Sequence, residues 1–327
     1  MNFQYVIFYI NLLYGIPSFI LLIIIEIILL IPSNKKIFYS SFFKIIFFNG
    51  VFDILAFVTF TIHHRLPSYG MLVEFYNYLF INEVDVRSIE FLRSVSTIGQ
   101  LVGMFFLCFN RFTSVYFHVR YDNMWKYLLP VYYVTVTILP VLMTFPLLLD
   151  MMIYKPFDRS NINLGFKGKW MTFNAMWYNS YVVTSILNIF FLTLCVIINF
   201  STLFCLIRYK RSAKSKVQDV RPNHEMNYSM EKKFFLLAVV CFIGQLIFAL
   251  SGLVVDKFSQ NKEYRKLYVM SLLFPIIADL TMFPNIWLLV LISSNLRNSI
   301  KRLFYIKNME PLSILKNFHT TRRTREK

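Results

Sequence analysis

What most constrains this chain is a succession of seven apolar runs, each long enough to cross a bilayer as a helix. A spanning helix needs roughly 20 consecutive apolar residues. The runs fall at 3–31, 39–63, 91–118, 127–149, 179–207, 234–255 and 267–292, and polar segments separate them. Inside hydrocarbon every backbone N–H and C=O must find its partner within the protein, and a helix satisfies that segment by segment. The expected fold is therefore all-α: a seven-helix transmembrane domain over 1–293 and a cytosolic tail over 294–327. With 57% hydrophobic and only 16% charged residues, the composition agrees. The first run lacks the basic leader and small-residue cleavage site of a secretory signal, so it is expected to remain as the first helix.

A formal charge of +17 would suit a nucleic-acid binder, but the basic residues cluster between the apolar runs. Membrane orientation explains them better, and no nucleic-acid partner is expected. With the N-terminus outside, about two-thirds of the 34 Lys and Arg fall on the cytosolic side, as the positive-inside rule requires. The tail opens with Leu296, Ile300, Leu303 and Phe304 on one helical face and Arg297, Lys301 and Arg302 elsewhere, a short amphipathic juxtamembrane helix. Arg65 to Glu90 reads as a polar outer connection. So does Asp150 to Tyr178, where Trp170 and Trp177 suit a membrane-surface belt.

Catalytic signatures are missing. There is no phosphate-cradling glycine loop, no nucleophile elbow, no H-E-x-x-H and no C-x-x-C, so neither an enzyme nor a cofactor is expected. His63-His64 stands as a lone pair without a third ligand at metal spacing, so no metal site is expected. Cys108, Cys195, Cys205 and Cys241 all lie inside apolar runs, which predicts no extracellular disulfide.

What remains is a set of polar residues at membrane depth. Asp53 sits halfway along the second run and Asp279 along the seventh, positions where acids are rare and face a bundle interior. They are expected to share a water or cation site, or else to satisfy helix–helix hydrogen bonds. Glu26 faces the bundle or the inner headgroups. Arg111, between Asn110 and Phe112, ends the third run; it is a switch residue or a snorkelling anchor. Pro284 and Asn285, followed by Trp287, break the seventh run and supply a hinge, because proline frees a carbonyl one turn back. Ser94, Thr97 and Gln100 in the third run and Gln245 in the sixth are candidate lining residues of a small-molecule pocket, or else interhelical hydrogen bonds. Such a constellation suits a receptor that switches between two packings.

Y-G-I-P-S-F-I-L in the first run, R-L-P-S after the second and F-N-R-F-T-S-V closing the third resemble the nematode serpentine chemoreceptors of the gamma class, with the v class a close alternative. The resemblance implies a GPCR-like bundle in the plasma membrane of sensory neurons or their cilia. It also implies a small external ligand and a heterotrimeric G protein as partners. Against the wider rhodopsin-like pattern, Asn110 stands where an acid precedes the arginine and Phe112 where a tyrosine follows it. An aspartate at 110 would be expected to restore a local ion pair. A competing reading is a seven-helix ligand-gated cation channel, whose inverted topology puts the N-terminus inside.

Overall fold

The computed structural model describes residues 3–34, 37–117, 119–171, 179–215, 228–261 and 263–303. Seven helices among them are long and apolar enough to cross a membrane. They are α1 (Phe3–Leu30), α2 (Ser41–Phe60, prolonged to Ser68), α4 (Arg87–Tyr116), α5 (Tyr121–Thr144), α6 (Ser180–Ser215), α7 (Tyr228–Gln260), and α8 (Tyr264–Met282) with its continuation α9 (Pro284–Ile292). A short helix α3 (Val73–Ile81) bridges α2 and α4. The arrangement is the serpentine seven-helix bundle. α4 is its hub, packed against α2, α5 and α6, and it buries more of its length than any other span.

Two aromatic-rich cores flank that hub. One joins Ile45 and Phe52 of α2 with Ile98, Val102 and Phe106 of α4 and Trp125 and Tyr132 of α5. The other joins Leu22, Ile25 and Ile28 of α1 with Met282, Phe283 and Ile286 at the α8–α9 break, and it reaches Leu296 beyond α9. Residues 294–303 are helical. Ser293 Oγ accepts the Leu296 amide at 3.2 Å, an N-cap, while Arg297 donates to the Val290 and Leu291 carbonyls at 3.0 and 2.6 Å. The amphipathic face is thus seated: Leu296 is buried and Ile300 packs beside it, with Arg297 and Lys301 exposed. Phe304 and the rest of the tail lie outside the described residues. So do Trp177 and residues 216–227 between α6 and α7.

Helix limits differ from the apolar runs by up to eight residues, most at the Arg111 end, where α5 begins at Tyr121, α6 runs on to Ser215 and α7 begins at Tyr228; the differences that change the reading of side chains are at the hairpin end. The second span does not stop at His63. It runs through a π-turn, Thr61–Arg65, into a last turn, Leu66–Ser68. The outer connection expected to start at Arg65 begins only after Ser68, and Pro67 sits inside the last helical turn. Arg65 is consequently carried into the bundle rather than out of it, and is buried.

The second correction concerns Asp150 to Tyr178. Part of this segment is an antiparallel hairpin of β1 (Met152–Pro156) and β2 (Phe166–Trp170), with Tyr154 opposite Gly168. Burial, not surface polarity, governs it: Met152, Ile153 and Tyr154 are all buried, so β1 is covered on both faces, and Met152, Tyr154 and Phe166 pack against Tyr76 of α3 and Val86. Gly165, at φ 94°, lies so close to α2 that a Cβ would sit 2.2 Å from the Pro67 carbonyl oxygen. The hairpin therefore caps α2 and α4. Cys108, Cys195 and Cys205 are free, and the Cys241 side chain lies outside the described residues.

Candidate functional site

The α4 sequence places Thr97, Gln100, Leu101, Met104, Leu107, Cys108 and Arg111 three or four residues apart, so they form one face of the helix. That face lines a cavity of about 150 Å³ at the centre of the bundle, closed by α1, α2, α6, α7, α8 and α9. Three of the four candidate pocket residues, Thr97, Gln100 and Gln245, line it. Gln100 donates to Asp53 Oδ1 at 2.6 Å, and the Gln245 amide lies 2.8 Å from Met104 Sδ. Ser94 does not line it. One turn higher, it is buried beside Arg93, whose Nη2 reaches its hydroxyl at 3.4 Å.

Glu26 belongs to this cavity. Its side chain faces the bundle rather than the headgroups, against Gly50 of α2. A Cβ at Gly50 would lie 1.9 Å from Glu26 Oε1, so the glycine makes the space the carboxylate fills.

Asp279 is held elsewhere, which corrects the expectation that it shares a site with Asp53. Its Oδ1 forms an ion pair with Arg65, and its Oδ2 accepts from Asn11 of α1 at 3.0 Å. The π-turn delivers the arginine: Thr61 Oγ1 accepts from Arg65 Nη1 at 2.7 Å, and the Phe57 ring lies 4.3 Å from the guanidinium. Asp53 and Asp279 thus answer to different partners, a glutamine of α4 and an arginine of α2.

At the other end, Asn110, Arg111 and Phe112 point three ways, because successive helical residues are about 100° apart. Arg111 faces the cavity, with its guanidinium 4.5 Å from the Phe42 ring centre. Asn110 turns away into a buried cluster, donating to Ser41 Oγ at 3.1 Å and to Tyr121 Oη at 2.8 Å. Phe112 stacks on Tyr116 and lines a groove with Phe200, Phe204 and Arg208. An acid at position 110 would therefore point away from Arg111. Asn110→Asp is expected to bury a carboxylate beside two hydroxyls and to cost about 1–3 kcal/mol. Thermal unfolding and surface amount should both fall, with agonist-independent signalling per receptor unchanged; a lowered basal signal at unchanged stability would restore the ion-pair reading.

The seventh span breaks at Phe283, between α8 and α9. Pro284 has no N–H for the Leu280 carbonyl, and Gly244 of α7 lies close to that oxygen: a Cβ there would be 2.9 Å away. Asn285 faces the cavity, whereas Trp287 points outward and donates to Ser18 Oγ of α1 at 2.9 Å.

One cluster was missed in the sequence. His63 has acquired a third neighbour, since Glu90 Oε2 lies 3.3 Å from His63 Nε2, and ligand atoms of His63, His64 and Glu90 all fall within 4.8 Å of one another. The signal was Glu90-x-x-Arg93, an i,i+3 pair at the start of α4. Arg93 takes both Glu90 oxygens at 2.6 Å, and Tyr154 Oη meets His63 Nδ1 at 3.0 Å. The carboxylate already holds its cation, so the cluster reads as a polar joint between α2, α4 and the hairpin.

Comparison with known proteins agrees with this architecture. The profile of the Srg family chemoreceptors matches residues 8–300. Serpentine receptor class gamma-31 of Caenorhabditis elegans is 26% identical over 224 residues, which cover 65% of this chain and 63% of that protein. The chain therefore spans just under two-thirds of that relative's length. A profile match across nearly the whole bundle, on a chain folded as seven apolar helices around a central cavity, shows that this protein belongs to the Srg family of chemoreceptors.

Proposed function

We propose that this chain is a G-protein-coupled chemosensory receptor, not an enzyme. On this reading it sits in the plasma membrane of sensory neurons or their cilia, with the hairpin end outside and the Arg111 end in the cytosol. The observation that carries the reading is a shared cavity. Thr97, Gln100 and Gln245, which suit a ligand, line the same space as Arg111 and Asn285, which suit a switch. A ligand occupying the upper part contacts α4 and α7 directly, and both helices run on toward the end that would face a G protein. It activates only by binding the active packing better, since equal affinity for two packings shifts nothing. The break at Phe283 lets α9 move without unwinding α8.

Full-length receptor carrying an N-terminal epitope, expressed in cultured cells with a second-messenger reporter, tests both halves. The epitope is expected to stain before permeabilisation and a C-terminal tag only after it; the reverse pattern would favour the inverted channel. A chemical screen should then yield agonists whose response depends on a co-expressed G protein. Ligand-evoked current that persists without one would overturn the coupling.

A further inference from the structure

The geometry points to a small organic monocation, an amine in its ammonium form, as the ligand class of the central cavity, held between Glu26 and Asp53. This rests on the reading of that cavity as the ligand site. Glu26 is buried, 6% exposed, and neither of its carboxylate oxygens meets a hydrogen-bond partner. An uncompensated carboxylate at membrane depth is costly, and the protein keeps this one by leaving Gly50 without a Cβ. Asp53 lies one turn beyond Gly50 on the same face of α2, so both acids border one space. The basic residue on the cavity wall, Arg111, lies at the far end against Phe42. Asp279 and Glu90, the other buried acids near the bundle axis, already hold Arg65 and Arg93.

Size and wall chemistry choose among cations. A volume of about 150 Å³ exceeds the needs of a bare ion, and an apolar cavity of that size admits a benzene ring. Leu22, Ile25, Phe60, Leu101, Phe248 and Met282 supply the apolar walls. Such walls desolvate a hydrocarbon body well and replace the hydration shell of sodium poorly. A ring-sized amine places its nitrogen at the Glu26–Asp53 edge and its carbons against α7 and α8.

The test uses full-length receptor in lipid nanodiscs without G protein, so that binding is read apart from signalling. Unfolding midpoints are measured with cyclohexylammonium chloride, with its neutral counterpart cyclohexanol, and with sodium chloride, all against N-methyl-D-glucamine chloride, whose cation is too large for the cavity. Cyclohexylammonium is expected to raise the midpoint by a few degrees near saturation, and cyclohexanol to leave it unchanged. E26Q and D53N, neutral replacements of similar shape, should each weaken the amine about thirtyfold or more. An equal shift with cyclohexanol, a shift with sodium alone, or an amine shift retained in both variants would overturn the assignment. So would midpoints that follow pH while ignoring the amine. If neither variant folds, the contrast between amine and alcohol on the native receptor decides. A receptor that binds the amine yet couples to no G protein would leave this site standing and remove the signalling reading; agonists that are all neutral would do the opposite.

Discussion

Asp279→Ala is expected to lower the stability of the receptor by about 3–5 kcal/mol, because it leaves the Arg65 guanidinium buried without its anion. Asp279 is completely buried and Arg65 is 4% exposed. Water cannot take the place of either partner. Arg65 Nε already lacks a hydrogen-bond partner, so the guanidinium depends all the more on the carboxylate. Arg65→Ala should cost a similar amount, with Asn11 left as the neutral donor to Asp279. The pair together is a different matter, since removing both charges also removes two desolvation penalties. Arg65→Met with Asp279→Leu is therefore expected to recover most of the loss. Unfolding midpoints of the native protein, the two single variants and the double variant, in one lipid preparation, give the coupling directly. Losses that simply add would mean that the two side chains do not act as a unit. The pair also has a functional position. It fastens α8 to α1 and α2 through the residue whose carbonyl accepts the Phe283 amide at 3.0 Å, directly above the helix break. A receptor with the neutral pair should consequently fold but hold α8 less firmly, and its agonist response should change more than its surface amount.

The seven helices were legible because hydrophobic length is a local property, and so was the α4 face from Thr97 to Arg111, which needs only the helical period. The break at Phe283 was legible from Pro284. What escaped depended on partners far apart in the chain. Asp279 and Arg65 are 214 residues apart, and the arginine reads in the sequence as the start of a polar outer connection. A π-turn has no composition of its own, so nothing in T-I-H-H-R announced one. Asp53 and Asp279 looked alike as lone acids at membrane depth. Which one was already neutralised depended on helix rotation. The hairpin was hidden for another reason: M-I-Y-K-P and F-K-G-K-W are short and lysine-containing, and their burial comes from α3 lying over them. Asn110 and Arg111 misled through adjacency, since neighbours in a helix sequence point to different faces.

Arg111→Ala is expected to abolish signalling while leaving delivery to the membrane intact. The guanidinium is half-buried at the cavity's end and rests over Phe42, a contact worth about 0.5–1 kcal/mol at an exposed site. Removing it should cost less stability than removal of Arg65, because Arg111 is half-buried whereas Arg65 leaves a fully buried carboxylate behind. The functional loss is larger, because Arg presents five donors in a fixed fork and can grip a carboxylate or carbonyl of a docked protein through two of them. Arg111→Lys keeps the charge without the fork, and it should signal weakly at normal surface amount. Phe42→Leu removes the ring that the guanidinium rests on in this packing. It should therefore raise agonist-independent signalling, provided that Arg111 acts by leaving that ring. Surface amount by antibody and second-messenger level without agonist, measured on the same cells, separate these outcomes. Full signalling by Arg111→Ala would reduce the residue to an interfacial anchor; an unchanged basal level in Phe42→Leu would show that the ring is packing and not a latch.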